Sequence, residues 1–297
     1  MVRLGPNAYG KAEVRLARVT RGAAPGGGDV LRDWNVSTSL SGDLAAASLA
    51  GDNSHVLPTD SQKNKVYALA RELDGVVEPE AFGLALASYF VTAQEPITRA
   101  RVEIDEYGWS PIGDNGYSFS RAGDLVRTTV VVLDSAAGAS VVSGLRDLVV
   151  LNTTASEFWG FAKDAYTTLP ETRDRILATA VSARWRYRPS AAALDSGADW
   201  AAAFTAAKAA LLSAFSRTYS YSLQQTLYAM GSAVLSDVPI ACEVRLALPN
   251  KHHYLVDLGP FGLDNPGQVY QAGDRPYGLI EGHVLADDAP EPGLAWI

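Results

Sequence analysis

Apolar and polar residues alternate in several segments of the chain, which is the pattern of a half-buried β-strand. Residues 12–20 alternate in this way, a turn with Pro25 and the glycines at 26–28 follows, and the pattern returns at 30–41, so we predict a β-hairpin. Further strands are predicted at 98–109, at 116–133 around a turn at Ala122–Gly123, at 139–152, 175–187, 240–248 and 252–258, and near 278–285.

Between these strands, apolar residues recur at the three- and four-residue spacing of amphipathic helices. The first helix follows residues 58–61 (PTDS), which are typical of a helix start, and the second spans 79–94. Two more helices have apolar residues along one side, one from Trp200 to Phe215 and one from Leu223 to Val234. Each apolar side needs a sheet to cover it.

The order of strands, two helices and strands occurs twice along the chain. We therefore predict an α+β fold built from two duplicated units, residues 1–137 and 138–297, although the halves share no residue-level identity. Paired helices cover one face of an antiparallel sheet, and in such folds further copies commonly cover the other face. A homo-oligomer is therefore expected.

The composition of the chain argues against several classes of partner. Its 297 residues carry a formal net charge of -8 without a long basic run, whereas nucleic-acid binding needs clustered Lys and Arg. No stretch approaches the ~20 apolar residues of a membrane span, and Met1–Val19 has no signal-sequence pattern. The single cysteine, Cys242, fits a reducing compartment, and Leu294–Ile297 does not match a peroxisomal address. We expect a cytoplasmic protein that binds neither nucleic acid nor membranes.

No motif indicates metal, nucleotide or covalent chemistry. The glycines at 26–28 lack the strand, GxGxxG and helix context of a dinucleotide site, and are interpreted as a loop. His252 and His253 are adjacent on a predicted strand and should point to opposite faces, and no HxH or HExxH spacing occurs. There is no GxSxG motif, and Cys242 lies within a strand pattern as a small buried residue would. We expect no metal site.

Arg175 shares the parity of Leu177 and the later apolar residues of its predicted strand, so it should point the same way as an apolar face. A guanidinium in that position needs a partner, because burial of an unpaired charge is costly. A salt bridge to Asp174 or Glu171 would supply one. A bidentate grip on a planar anion is the functional alternative.

Five further residues have both a structural and a functional interpretation. Thr59 and Asp60 fit plain N-capping of the first helix, and the same helix end offers free N–H groups to a bound anion. Gln224 and Asn250 fit surface or turn amides, and Phe158, within FWGF, fits a core aromatic residue. None of these residues would indicate a function alone.

These residues lie within or beside six segments that occur in order along the chain: YGKAEVRL (9–16), DNSHVLPTDSQKNKVYALA (52–70), SEFWGFAKDAYTTLPETRDRILAT (156–179), YSLQQTLYAM (221–230), LPNKHHYLVDL (248–258) and YGLIEGHV (277–284). Together, the six segments resemble the urate oxidases, and the similarity covers most of the chain. The stretch 110–150 has no convincing family signature, and only strands are predicted there.

The resemblance implies the tunnelling fold, in which duplicated units of antiparallel sheet and two helices assemble into barrels and a homotetramer. It also implies an enzyme of purine catabolism that oxidises urate with molecular oxygen to 5-hydroxyisourate and hydrogen peroxide. Such enzymes need neither a metal nor an organic cofactor.

For substrate binding, the resemblance singles out five residues in the second half of the chain. They hold a planar purine from several sides: Arg175 and Gln224 as pincers, Phe158 stacked on the ring, Leu223 through its backbone N–H, and Asn250 over the ring at the oxygen site. Because urate is an electron-rich anion, an arginine supplies charge-matched donors, and a glutamine complements an amide edge.

For proton transfer, the resemblance singles out Lys11, Thr59 and His252, and it implies that Asp60 contacts the substrate through its backbone. Removal of a further proton from urate gives a dianion that can pass electrons to oxygen. A Lys–Thr pair with an ordered water can relay protons, provided that the surroundings lower the pKa of the lysine. In the family, Lys11, Thr59 and Asp60 come from the neighbouring subunit, so each site requires at least a dimer. His253 is given no role.

Two other functions stay open. One is another tunnelling-fold activity on a pterin or purine, such as an aldolase or a cyclohydrolase, although zinc-dependent cyclohydrolase chemistry needs Cys and His ligands that this sequence lacks. The other is a catalytically silent purine-binding or scaffold protein. Loss of Lys11, Thr59 or Arg175 would favour the silent protein, and all three are present.

Overall fold

The helices and strands follow the predicted order, with several short elements added. The computed structural model describes residues 2–273 and 275–297; Met1 and Asp274, which belong to the two predicted units, lie outside the described residues. The first half contains β1 (Val14–Thr20), β2 (Val30–Gly42), α1 (Ala45–Ala50), α2 (Thr59–Glu72), α3 (Pro79–Ala93), β3 (Ile97–Pro111) and β4 (Phe119–Asp134). The second half contains β5 (Gly138–Asn152), β6 (Leu177–Tyr187), α4 (Pro189–Ala192), α5 (Trp200–Arg217), α6 (Leu223–Asp237), β7 (Ala241–Asn250), β8 (His253–Leu255), a 3-10 turn (Gly259–Phe261), β9 (Tyr270–Ala272) and β10 (Gly278–Leu285).

A single antiparallel sheet runs through both halves of the chain. Its eight strands lie in the order β1, β2, β3, β4, β5, β6, β7 and β10, while β8 and β9 form a separate two-stranded sheet. The halves meet where β4 pairs with β5, for example at Val131 and Val141. The predicted α+β architecture is therefore confirmed, whereas the division into units 1–137 and 138–297 stays a prediction.

The main core lies between the long helices and one face of the eight-stranded sheet. Helix α3 packs on β3 and β4, and α6 packs on β7 and β10. Two glycines allow this close approach, because a Cβ at Gly83 would lie 2.8 Å from Val131 Cγ2 and one at Gly231 would lie 2.5 Å from Val284 Cγ2. Within the described residues, no helix is both long and apolar enough to cross a membrane.

A buried network of charged groups ties α3 to the sheet. Glu80 is fully buried and accepts hydrogen bonds from Arg127 Nη2 at 2.7 Å, from Thr129 Oγ1 at 3.1 Å and from Ser143 Oγ. The same arginine donates from Nη1 to Glu78 at 2.6 Å. Because Glu80 and Arg127 are buried, each depends on its protein partners.

We expect Glu80→Ala to lower the free energy of unfolding by about 3–5 kcal/mol, because it removes a buried partner of the Arg127 guanidinium. Asp288→Ala breaks an exposed ion pair with Arg188, and it should change the free energy of unfolding little. Urea denaturation of the two variants beside the wild-type protein measures the difference. If both variants lost the same free energy of unfolding, burial of the Glu80–Arg127 pair would not increase its contribution to stability.

The structure corrects three predicted strand boundaries. The chain does not turn at Ala122–Gly123: β4 continues through these residues, and a register shift against β3 makes a bulge in which Gly123 adopts a φ of 65°. The strand predicted at 175–187 begins at Leu177, so Arg175 precedes it. The strand predicted at 252–258 is only three residues long, and it pairs with the equally short β9. The glycines at 26–28 lie in the β1–β2 loop, and Cys242 is buried in β7, both as predicted.

Candidate functional site

A pocket with a volume of about 510 Å³ lies where β6 begins and β7 ends. It is lined by the segment before β6, the first turn of α6, the end of β7 and the β8–β9 hairpin. Six predicted site residues lie in this pocket: Phe158, Arg175, Leu223, Gln224, Asn250 and His252. The fold thus brings together side chains from four separate segments of the second half.

Antiparallel pairing explains why these segments meet. Thr179 of β6 pairs with Asn250 of β7, and the Lys251 N–H donates to the Ala178 carbonyl at 2.8 Å. The chain that enters β6 therefore lies beside the chain that leaves β7. As a result, Arg175 and His252 lie near one another.

Arg175 has no carboxylate partner among the described residues. Its one hydrogen bond there runs from Nε to Ser156 Oγ at 3.1 Å. The two acids proposed from the sequence are engaged elsewhere, because Asp174 Oδ1 accepts from Thr154 Oγ1 at 2.7 Å and Glu171 accepts from a lysine ammonium at 3.0 Å. Burial lowers the pKa of Arg175. The salt-bridge interpretation is wrong, and the charge is left available to an anion.

Phe158 is a half-buried residue of the pocket wall. Its backbone pairs with Thr172, with both N–H to carbonyl distances at 2.9 Å. Its ring stacks on Phe161 with 4.9 Å between centroids and 15° between planes, and Arg175 Cζ lies 5.3 Å from the Phe158 centroid. The interpretation of Phe158 as a core residue is wrong. An aromatic face beside a cation suits a flat anionic ring.

Helix α6 begins at the pocket with Leu223 and Gln224. Ser222 caps the helix by accepting a hydrogen bond from the Gln225 N–H at 3.2 Å. The backbone N–H groups of the first helical residues have no acceptor within the helix, and the positive end of the helix dipole lies there. The exposed Gln224 side chain adds amide donors and an acceptor on the same side.

His252 and His253 both line the pocket, contrary to the expectation that they point to opposite faces of a strand. The reason is that His252 precedes β8, so strand alternation does not apply to the pair. The His252 ring stacks on Tyr254 with 5.8 Å between centroids. Burial lowers the pKa of His252, and the positive charge of Arg175 lowers it further. The neutral imidazole is therefore favoured, and it can accept a proton.

We expect the pKa of His252 to rise towards its ordinary value in Arg175→Ala. The substitution removes a nearby positive charge that disfavours the imidazolium, while the burial of the ring stays. Titration of the ring followed by NMR in both proteins measures the change, with His252→Gln used to assign the signal. A pKa that stays the same or falls would exclude electrostatic coupling between the two residues.

Lys11, Thr59 and Asp60 do not line this pocket. They lie together in the first half of the chain, beside β2 and the start of α2. The Lys11 backbone is fixed by Thr38, whose Oγ1 accepts from the Lys11 N–H at 3.2 Å. The pKa of Asp60 is lowered by its hydrogen bond to Lys63, by the charge of Lys63 and also by the charge of Lys11. The lysine is therefore near enough for its charge to act on the Asp60 carboxylate.

Thr59 and Asp60 do not cap α2. The N-cap position is Pro58, which has no side-chain donor or acceptor, and Thr59 is the first helical residue. The Asp60 carboxylate instead accepts from Lys63 Nζ at 2.5 Å and from Asn64 Nδ2 at 2.9 Å. The Thr59 hydroxyl makes no hydrogen bond among the residues that the structure describes. The capping interpretation is wrong, and this hydroxyl can bind another group.

Sequence analysis missed some contributors to the site. Ser156 is fully buried and holds Arg175, although its only sequence signal is its place in the segment that contains Phe158. Tyr254 and Tyr270 line the pocket from the β8–β9 hairpin, whose pairing no local pattern indicated. No cluster of three or more His, Cys, Asp and Glu side chains in residues 2–273 and 275–297 is arranged to hold a metal ion.

Comparison with known proteins gives one consistent family. A family model described as Uricase matches residues 7–132 and 141–281, including most of the stretch in which no signature was recognised. The uricase of Arthrobacter globiformis is 48% identical over 293 residues, which cover 99% of this chain and 93% of that protein. The uricase of Dictyostelium discoideum is 34% identical over 290 residues, which cover 96% of this chain and 98% of that protein. The crystal structure of the Arthrobacter globiformis uricase matches this chain with a TM-score of 0.92 and 45% identity, covering 100% of this chain and 99% of that one.

Proposed function

Because the chain belongs to the uricase family, we propose that it oxidises urate with molecular oxygen and water to 5-hydroxyisourate and hydrogen peroxide. One observation carries the proposal: a single pocket combines the Arg175 guanidinium, which has no carboxylate partner in the described residues, with the Phe158 ring and the start of α6. Urate is a flat anion with amide edges. These groups match its charge, its shape and its hydrogen-bonding pattern.

The proposed binding roles follow the chemistry of each group. The guanidinium of Arg175 and the amide of Gln224 hold opposite edges of the purine, and the Leu223 N–H adds a donor. Phe158 stacks on the ring. Asn250 lies over the ring where oxygen reacts. Fixed donors stabilise the charge that develops on urate as it loses a further proton.

In the proposed reaction, urate gives a pair of electrons to oxygen, and oxygen takes up protons to become hydrogen peroxide. Water supplies the hydroxyl group of 5-hydroxyisourate. Lys11, Thr59 and His252 carry the protons between these species, and the backbone of Asp60 contacts the substrate. The proposal needs neither a metal nor an organic cofactor, since the electron-rich urate dianion is itself the reductant.

We propose that each site is shared between subunits of a homotetramer. Lys11, Thr59 and Asp60 are absent from the lining of the pocket in one protomer, so a neighbour would have to supply them. The sheet has two edges, β1 and β10, whose outer sides have no partner strand among the described residues. Such edges favour closure by another copy. The cytoplasmic location stays a prediction.

The activity is tested by following the near-ultraviolet absorbance of urate in air with a metal chelator present, while oxygen uptake and peroxide are recorded. We expect urate loss, oxygen use and peroxide release in equal amounts. Activity that appears only with added metal would contradict the cofactor-free reaction. Binding of urate without any oxidation would favour the silent purine-binding protein.

We expect Arg175→Ala mainly to raise KM, by roughly 10- to 100-fold, because a hydrogen-bonded charge pair contributes about 1.5–3 kcal/mol. Arg184→Ala is a matched control, since Arg184 also has no carboxylate partner in the described residues but lines a different pocket. Steady-state kinetics of both variants gives KM and kcat. A lower kcat with an unchanged KM in Arg175→Ala would exclude the binding role.

A further inference from the structure

Ser156 makes the one side-chain hydrogen bond that the Arg175 guanidinium has among the described residues. Its Oγ accepts from Arg175 Nε at 3.1 Å, and the serine is fully buried. The exchange of this hydrogen bond for one to water is therefore restricted. The bond fixes the Nε side of the guanidinium. Nη1 and Nη2, at the other end, have no hydrogen-bond partner among the described residues.

The position of Ser156 is fixed by its backbone neighbours. The Glu157 N–H donates to the Ser220 carbonyl at 2.7 Å, and the Ser220 N–H donates to the Ala155 carbonyl at 3.0 Å. Ser220 is itself fully buried, and its Oγ accepts from Thr226 Oγ1 at 2.8 Å. Ser156, whose two chain neighbours both bond Ser220, is thus held in place before a ligand arrives.

The same contacts connect Arg175 to Gln224. Ser220 Oγ donates to the Ser222 carbonyl at 3.0 Å, directly before α6 begins at Leu223. Arg175 is held through Ser156, and the start of α6 is held through Ser220. The separation between Arg175 and the start of α6 is therefore set by these paired backbone segments before a ligand binds.

We propose that Ser156 is a positioning residue for Arg175, and that it makes the guanidinium bind the substrate only through its Nη1–Nη2 end. This inference rests on the proposed function. With Nε occupied, a ligand must present neighbouring acceptors to the two end nitrogens, as the deprotonated amide edge of a purine-dione does. A guanidinium fixed in advance loses less freedom when the ligand binds, so Ser156 contributes to affinity without touching the substrate.

The test measures the binding of xanthine, a purine-dione, by calorimetry, together with KM and kcat for urate. Ser156→Ala should weaken xanthine binding and raise KM for urate by about 10-fold, with a smaller change in kcat. Ser156→Cys is the alternative if the alanine variant does not fold, because cysteine has nearly the same volume as serine but is a weak acceptor. It should also weaken xanthine binding and raise KM for urate. Ser143→Ala, another fully buried serine, should lower Tm without a change in xanthine affinity.

A second measurement separates positioning from a structural role. A lysine has one terminal nitrogen. In Arg175→Lys the side chain therefore cannot bond Ser156 through an Nε–H and also offer two neighbouring donors to the ligand. Ser156→Ala should therefore weaken xanthine binding no further in an Arg175→Lys background. An equal loss in both backgrounds, or wild-type affinity and KM in Ser156→Ala, would overturn the positioning role. A wild-type protein that fails to oxidise urate would instead overturn the proposed function.

Discussion

Lys11→Met is expected to lower the turnover of urate by about 10²- to 10⁴-fold with little change in KM, because methionine has a similar length but cannot accept or donate a proton. The charge of Lys11 acts on Asp60, and the neighbouring Thr59 hydroxyl makes no hydrogen bond among the described residues, so both groups suit the proposed proton relay. Steady-state kinetics under saturating oxygen measures kcat and KM separately.

Lys65→Met is the matched control for this prediction. Lys65 lies in the middle of α2, and its ammonium pairs with Glu72 at 2.7 Å. We expect the kcat of Lys65→Met to stay near the wild-type value. A rise in KM with unchanged kcat in Lys11→Met would mean that the lysine binds substrate and does not move protons.

Mixed assemblies of Lys11→Met and Gln224→Ala subunits should regain activity that neither variant has alone. If each site takes Lys11 from one subunit and Gln224 from its neighbour, random mixing of equal amounts leaves about a quarter of the sites with both residues intact. Unfolding the two variants together, refolding them and measuring urate oxidation tests this. At a urate concentration well below the raised KM of Gln224→Ala, both starting proteins are expected to be nearly inactive, so the gain is large.

The control is the same pair of variants refolded separately and mixed afterwards, which should stay inactive. Differently tagged subunits and affinity capture establish that mixed assemblies have formed. If verified mixed assemblies show no recovery, Lys11 and Gln224 belong to the same site within one chain. The shared-site proposal would then be wrong, while the binding roles of Arg175 and Gln224 would be unaffected.

Sequence periodicity predicted most of the long elements but not the places where the backbone departs from regular geometry. The apolar spacing in α5 and α6 is visible from the sequence alone, because one side of each helix packs on other elements. The turn expected at Ala122–Gly123 is a bulge within β4, since a glycine with positive φ suits either structure. Local sequence cannot distinguish the two, because the choice depends on the register with β3.

The candidate site shows the same limit. The segment resemblance named Phe158, Arg175, Leu223, Gln224, Asn250 and His252, and all six line one pocket. Whether Arg175 forms a salt bridge could not be decided from the sequence, because Asp174 and Glu171 are close in the chain. Their side chains bond Thr154 and Lys163 instead, which only the folded backbone determines.

The sequence by itself determined the α+β class, the repeated order of strands and paired helices, and the family, because apolar periodicity and the order of the matching segments are properties of the chain. The tertiary structure decided which polar groups are satisfied internally and which are left for a ligand. Within the described residues, Arg175 has no acidic partner and is held by the buried Ser156. Such pairings depend on segments that are distant in sequence, and their geometry exists only once β6, β7 and α6 have packed together.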